Sequence, residues 1–153
     1  MKIKQISKSK KKNFHKINEI KLDDIHAYEV KISQKLHNGF KNFSGDKSPL
    51  HTSLKFCKKN GYKKKVGYAF LITAILSKIY GMFFPGGTEL CLKQICNFKK
   101  PFFLNDTLKI NLKVIQINYE AKLLTISIII RNQKNSDIFE GETIFQLNLH
   151  APK

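Results

Sequence analysis

Cysteine is scarce and unpaired in this chain. The three present, Cys57, Cys91 and Cys96, form no CxxC pair and leave an odd count, which argues against a disulfide framework or a zinc site and for reduced thiols. No apolar segment follows the lysines of the N-terminus (Lys2, Lys4, Lys8, Lys10, Lys11 and Lys12), so this start does not read as a signal peptide. One long apolar run exists, VGYAFLITAILSKIYGMFF (residues 66–84), but Lys78 interrupts it and Pro85-Gly86-Gly87 ends it. It reads as a buried helix rather than a membrane span. GxGxxG, P-loop and GxSxG motifs are all absent, which leaves nucleotide-phosphate hydrolysis and serine acyl transfer without support. A cytoplasmic protein without metal, nucleic-acid or membrane partners is expected.

Acidic residues are also few. Eleven Asp and Glu face 28 Lys and Arg in 153 residues, a formal net charge of +17. Such a surplus suits an anionic partner, whether nucleic acid, membrane surface, phosphorylated cofactor or acidic carrier protein. The lysines are nevertheless spread along the chain among many Ile, Asn and Phe residues, the pattern of solvated faces. Nucleic-acid binding would call for aromatic residues interleaved with lysines on exposed strands; here most Phe and Ile fall at core-like positions. Hydrophobic residues make up 42% of the chain, twelve of them Phe, enough to close one ordinary core.

Residues 1–13 read as a mobile lysine-rich arm and residues 14–153 as a single domain. HAYEVKIS (residues 26–33) alternates as a strand. Ser33 is placed to cap a short helix with Leu36, Phe40 and Phe43 at helical spacing, ending at Ser44-Gly45. A second short helix fits residues 53–59, ended by Asn60-Gly61. The apolar helix of residues 66–84 follows, apolar nearly all round, as for a helix surrounded by protein. After Gly87 everything reads as strand: TELCLKQICNF; then, past the link KKPFFLND, TLKINLKVIQINY with Leu108, Ile110, Leu112 and Val114 at period two; KLLTISIIIRNQ; and, after the turn KNSD, IFEGETIFQLNLH. An antiparallel meander around one buried helix gives an α+β architecture.

Between the first two helices lies SGDKSPLH (residues 44–51), which sets Asp46 and His51 five residues apart around a glycine and a proline. An Asx turn beside an exposed histidine is the plain reading of that spacing alone. The stretch SGDKSPLHTS, followed by YKKKVGYAFLITAILSKIYGMFFPGGTELCLKQICNFKKPFFLNDTLKINLKVIQI, resembles the MaoC-like, R-specific enoyl-CoA hydratase family. The likeness runs from about residue 25 to 119 with the spacing kept. That family's pattern is S-G-D-x-N-P-x-H, an H-G-M-L helix start, a P-G-x-G-T turn, a strand ending F-x-x-P and a G-D-T turn.

The resemblance implies the hot-dog fold, a long central helix wrapped by a curved antiparallel β-sheet, paired into a homodimer. It implies that Asp46 and His51 are the catalytic acid and histidine, adding water to, or removing it from, an enoyl or 3-hydroxyacyl thioester. Hydration needs one group to deprotonate water and another to protonate the α-carbon, which a carboxylate and an imidazole sharing one water can do on one face. The thioester oxygen gathers charge and needs a backbone N–H at a helix start. That position falls on Ala69, where the family has glycine, with Tyr68 in place of its histidine. Ser48 stands where the family has a loop-bracing asparagine, and Ser77 where some members carry a serine pointing into the site. No cofactor is implied, since coenzyme A or phosphopantetheine belongs to the substrate.

Lys63, Lys64 and Lys65, with Lys99 and Lys100, flank this region in sequence and could hold coenzyme A phosphates or face an acyl carrier protein. His15, His26, His37 and His150 lack metal-ligand spacing and read as surface or strand residues. Two alternatives share the fold. One is a catalytically degraded acyl-thioester or carrier-binding protein, suggested by Tyr68, Ala69 and Ser48. The other is a thioesterase, against which the absence of any carboxylate in residues 66–77 counts.

Overall fold

The computed structural model describes residues 1–7, 15–87 and 89–147. Its chain begins with a two-residue strand β1 (Lys4–Gln5) and continues through a 3₁₀ turn (Ile17–Glu19) into β2 (Ile25–Lys31). Three helices follow, α1 (Gln34–Ser44), α2 (Pro49–Thr52) and α3 (Leu54–Lys59), and then the central helix α4 (Ala69–Met82). Four longer strands complete the described residues: β3 (Glu89–Phe98), β4 (Thr107–Asn118), β5 (Leu123–Asn132) and β6 (Asp137–Leu147). Within the N-terminal arm, β1 pairs with β2 through Lys4 and Gln5; residues 8–13 of the arm and His150 lie outside the described residues.

The local signals act where they stand in the sequence. Ser33 caps α1, its hydroxyl accepting from the Leu36 N–H, and Gly45 ends the helix in the left-handed region at φ 71°, a conformation that glycine adopts without strain. Ser53 caps α3 in the same way, accepting from Phe56. Phe43, expected on the apolar stripe of α1, is instead 90% exposed; it sits in the last turn of the helix.

All sheet pairings are antiparallel, in the order β1-β2-β4-β5-β6-β3. The expected meander therefore holds for β4, β5 and β6 but not for β3, which lies beyond β6 at the sheet edge. The link between β3 and β4 explains this. Residues 99–106 cross the start of α4, where Gly67 donates to the Phe102 carbonyl at 2.7 Å and Val66 bridges to Phe103. Asp106 then fixes the turn by accepting from the Phe103 N–H at 2.9 Å. The crossing places residues 99–102 above the helix N-terminus.

The period-two residues Leu108, Ile110, Leu112 and Val114 of β4, with Leu124, Ile126, Ile128 and Ile130 of β5, are all buried. They meet Leu71, Ile72, Ile75, Leu76 and Ile79 from α4 in one core. Each such side chain contributes roughly 1.5–3 kcal/mol on leaving water. Lys109 and Lys113 alternate with them on the exposed face of β4, so lysines do paint the solvent side here. The central helix is not enclosed all round: Phe70, Ala74 and Ser77 are exposed, three positions that share one side of a helix. No helix among the described residues is long and apolar enough to cross a membrane.

Candidate active site

The loop after α1 is built from local hydrogen bonds. The Ser44 hydroxyl accepts from the Asp46 N–H at 3.2 Å, and Asp46 Oδ1 accepts from the Ser48 N–H at 2.8 Å. Pro49 opens the single turn of α2, a position where its missing N–H costs nothing. This turn, too short to show a hydrophobic period in the sequence, swings His51 back toward Asp46. His51 Nε2 lies 3.9 Å from Asp46 Oδ2. That is too long for a direct hydrogen bond, and a water about 2.8 Å from each atom would span it.

His51 Nδ1 lies 2.9 Å from the Val66 carbonyl. A carbonyl can only accept, so Nδ1 carries a proton and donates it here, which leaves Nε2 as the nitrogen that faces Asp46. The His51 side chain is 14% exposed and that of Asp46 43%, which leaves the pair open to a ligand from one side.

Residues 66–69 supply the opposite wall. A Cβ at Gly67 would fall 2.0 Å from the Phe102 ring, so only glycine lets that ring lie against the backbone. Tyr68, the N-cap of α4, is buried. Its ring packs between those of His51 (centroids 4.1 Å apart) and His37 (4.7 Å). Its hydroxyl donates to the Asp46 carbonyl at 2.9 Å. Burial first, and the Asp46 charge second, raise the pKa of this hydroxyl and keep it a donor. Ala69 is the first residue of α4; its N–H therefore has no acceptor within the helix, and the helix dipole adds positive character there.

These groups open on a cleft of about 520 Å³ whose lining includes Asp46, His51, Tyr68, Ala69 and Phe102. Lys99 and Lys100 stand on the same cleft, with Lys99 paired to Glu140 at 2.9 Å. The structure separates the remaining expected residues from it. Lys63 and Lys64 line a different depression, of about 320 Å³, with Asn132, Gln133 and Lys134. Lys65 lines neither, and its carbonyl is taken by the Leu104 N–H. Ser77 opens on a third depression with Thr73, Tyr80 and Glu89. It lies eight residues beyond Ala69, about 12 Å along the helix.

Ser48 lines no part of the cleft, and among the described residues its side chain makes no hydrogen bond. It is the Ser48 backbone that holds the loop: its carbonyl accepts from the N–H groups of His51 and Thr52 and from the Thr52 hydroxyl. The expected bracing by the side chain at position 48 passes instead to Tyr68 and to His37. His37 is 2% exposed and lies on α1, not on a strand or at the surface as expected. Its Nε2 is 2.9 Å from the His51 carbonyl. His26 is likewise buried, on β2, and stacks on Phe84 with centroids 3.6 Å apart. Cys57, Cys91 and Cys96 are free, and among the described residues no cluster of three or more His, Cys, Asp or Glu could hold a metal.

No family model matches the chain. In sequence it is 24% identical over 108 residues to the (R)-specific enoyl-CoA hydratase of Aeromonas caviae, a match covering 71% of this chain and 81% of that protein. It is 23% identical over 104 residues to the 3-hydroxybutyryl-CoA dehydratase of Methylorubrum extorquens, covering 68% of this chain and 65% of the relative. Among solved structures it superposes on the unliganded R-hydratase PhaJ1 of Pseudomonas aeruginosa with a TM-score of 0.81 at 21% identity, covering 90% of this chain and 93% of the other. The fold is the hot-dog fold. In sequence and fold the chain resembles the MaoC-like hydratases. A TM-score of 0.74 at 13% identity to a chain of the ChsH1–ChsH2 complex of Mycobacterium tuberculosis, covering 83% and 98%, extends the likeness in fold to a protein solved as a complex.

Proposed function

We propose that this chain hydrates enoyl thioesters, or dehydrates 3-hydroxyacyl thioesters, with Asp46 and His51 handling the water. The observation that carries this is the placement of His51 Nε2, 3.9 Å from Asp46 Oδ2, at a cleft that also reaches the N-terminus of α4. In hydration the water oxygen bonds to the β-carbon while one member of the pair takes its proton. The pair returns a proton to the α-carbon on the same face, and the double-bond electrons pass through the thioester carbonyl on the way. The Ala69 N–H is offered to the oxygen that carries that charge.

Coenzyme A or a carrier's phosphopantetheine would reach this cleft past Lys99 and Lys100, which replace Lys63, Lys64 and Lys65 as the phosphate contacts in this reading. A homodimer fits as well. β3 is an edge strand whose Leu90, Leu92, Ile95 and Phe98 are exposed, and Phe70 from the open side of α4 packs near Phe98, with centroids 5.9 Å apart. An uncovered apolar edge of this kind invites a second chain.

The alternative, thioester binding without turnover, draws on the Ala69 methyl group at the carbonyl approach. Against it, the Tyr68 ring lies in the wall beneath His51 and leaves the cleft open. Purified protein given crotonyl-CoA and longer 2-enoyl thioesters separates the two. Hydration abolished by Asp46→Asn supports the hydratase reading. Saturable binding without hydration supports the alternative.

A further inference from the structure

We infer that His37 and Tyr68 are positioning residues that clamp the two ends of the Asp46–His51 loop by its backbone, an inference that rests on the hydratase reading of the same site. Each holds the carbonyl of one member of the pair. Tyr68, at the start of α4, donates its hydroxyl to the Asp46 carbonyl at 2.9 Å. His37, near the start of α1, presents Nε2 to the His51 carbonyl at 2.9 Å; since a carbonyl only accepts, Nε2 carries the proton.

The loop needs such anchors. A single-turn helix such as α2 leaves its last carbonyls without partners. The neighbouring carbonyls are taken from elsewhere: that of Leu50 accepts from the Val66 N–H and the Cys57 thiol. The carbonyls of Asp46 and His51 depend on side chains from two separate helices. The Tyr68 ring also touches both histidine rings in tilted contacts, with centroid spacings of 4.7 Å to His37 and 4.1 Å to His51. Movement of Tyr68 therefore reaches the His51 ring directly, and movement of His37 reaches it through Tyr68 and through the His51 carbonyl.

The state of His37 argues for this role over simple filling. Its Nδ1 is buried without a hydrogen-bond partner among the described residues, a costly arrangement that an apolar side chain would avoid. Histidine is worth keeping here only for what Nε2 does. Burial first, with His51, Lys65 and Lys41 adding to it against the bond to the His51 carbonyl, holds the ring's pKa below its ordinary value. A neutral ring with one proton fits one donor bond and one bare nitrogen.

Three variants in the full chain test the clamp: His37→Leu, His37→Gln, whose amide can replace the Nε2–H donor, and Tyr68→Phe, which removes only the hydroxyl. Misplacement of a reacting group by about 1 Å costs up to ~100-fold. Accordingly kcat for enoyl-CoA hydration should fall at least about tenfold in His37→Leu and Tyr68→Phe, with KM within about twofold, and His37→Gln should recover most of it. A kcat within about twofold of the parent in both, or a loss confined to KM, overturns the clamp. If His37→Leu does not fold, Tyr68→Phe decides alone.

The second readout needs no turnover. In chain labelled with ¹⁵N-histidine, the proton shared between His51 Nδ1 and the Val66 carbonyl should give a resolved downfield signal that broadens or is lost in Tyr68→Phe and His37→Leu. An unchanged signal in both overturns the clamp. A parent protein with no hydration on any enoyl thioester sinks the proposed reaction instead, and this spectrum then decides the clamp by itself.

Discussion

His51 and Val66, fifteen residues apart, are joined by a 2.9 Å bond from the imidazole Nδ1 to a backbone carbonyl. The bond settles which nitrogen faces the cleft, and it ties the acid–histidine loop to the segment that starts the central helix. Two functions of one ring can therefore be separated. Asparagine can imitate the Nδ1 donor but has nothing in place of Nε2. His51→Asn is expected to keep a melting temperature close to that of the parent while hydration falls about 10²–10⁴-fold, the usual size of a lost acid–base group. Asp46→Asn should fall in the same range. Paired melting curves and crotonyl-CoA progress curves check both.

Mild acid should destabilise this fold through its buried histidines. Burial, and then the charge of His15, lower the pKa of His26 from 6.5 to about 4, with Asp24 opposing them. Between those two values the unfolded chain binds more protons at His26 than the folded chain does, so folding stability declines as the pH falls through that window. The contribution is fully present above pH 6.5 and lost toward pH 4, on the order of 3 kcal/mol. His37, also lowered, acts in the same direction. Urea denaturation at pH 7.5, 6 and 4.5 should show the decline, and His26→Phe, which keeps a ring against Phe84, should flatten it. A parent protein equally stable at pH 7.5 and 4.5 would contradict the prediction.

Much of this arrangement is legible in the sequence because it is local. Ser33 and Gly45 bound α1 through their own side chain and φ angle, and the alternation of Leu108 to Val114 gives the buried face of β4 directly. The spacing from Asp46 to His51 and the likeness around it place the pair. What stays hidden is set by distant partners. That β3 lies beside β6 depends on the link crossing α4 at Gly67 and Phe102, which no periodicity records. Ser77 matches the site by spacing, yet lies two turns farther along α4 and opens on a separate depression. His37 sits among polar and lysine residues in QKLHNGFKN, and only the return of the chain past His51 buries it. A histidine four residues after a helix cap, about two turns before a second histidine-bearing loop, is too weak a signal to have found it.

The β3 edge gives a prediction about assembly. Leu92 falls at a bulge, with no Cα partner in β6 between those of Cys91 and Lys93, and it is about half exposed. A lysine there would face the neighbouring chain if the edge pairs, and would be solvated at little cost if it does not. Light scattering should find the parent dimeric and Leu92→Lys shifted toward monomer. A parent that is monomeric at micromolar concentration would remove this edge as the homodimer contact.

Ala69 offers the most direct test of how the thioester carbonyl is held. As the first residue of α4 it occupies the helical position at which proline is best tolerated, because the N–H there has no partner within the helix. Tyr68 before it has φ −70° and ψ 123°, the extended conformation that a following proline requires. Ala69→Pro therefore deletes one N–H while leaving the helix start intact. If that N–H receives the charge developing on the thioester oxygen, kcat should fall about 10²–10³-fold, with the melting temperature little changed. Ala69→Gly makes the opposite change: it keeps the donor and removes the methyl group from the approach, so kcat/KM should rise, most for the bulkier acyl groups. Should Ala69→Pro fold normally and hydrate crotonyl-CoA at the parent rate, the donor must lie elsewhere on the cleft.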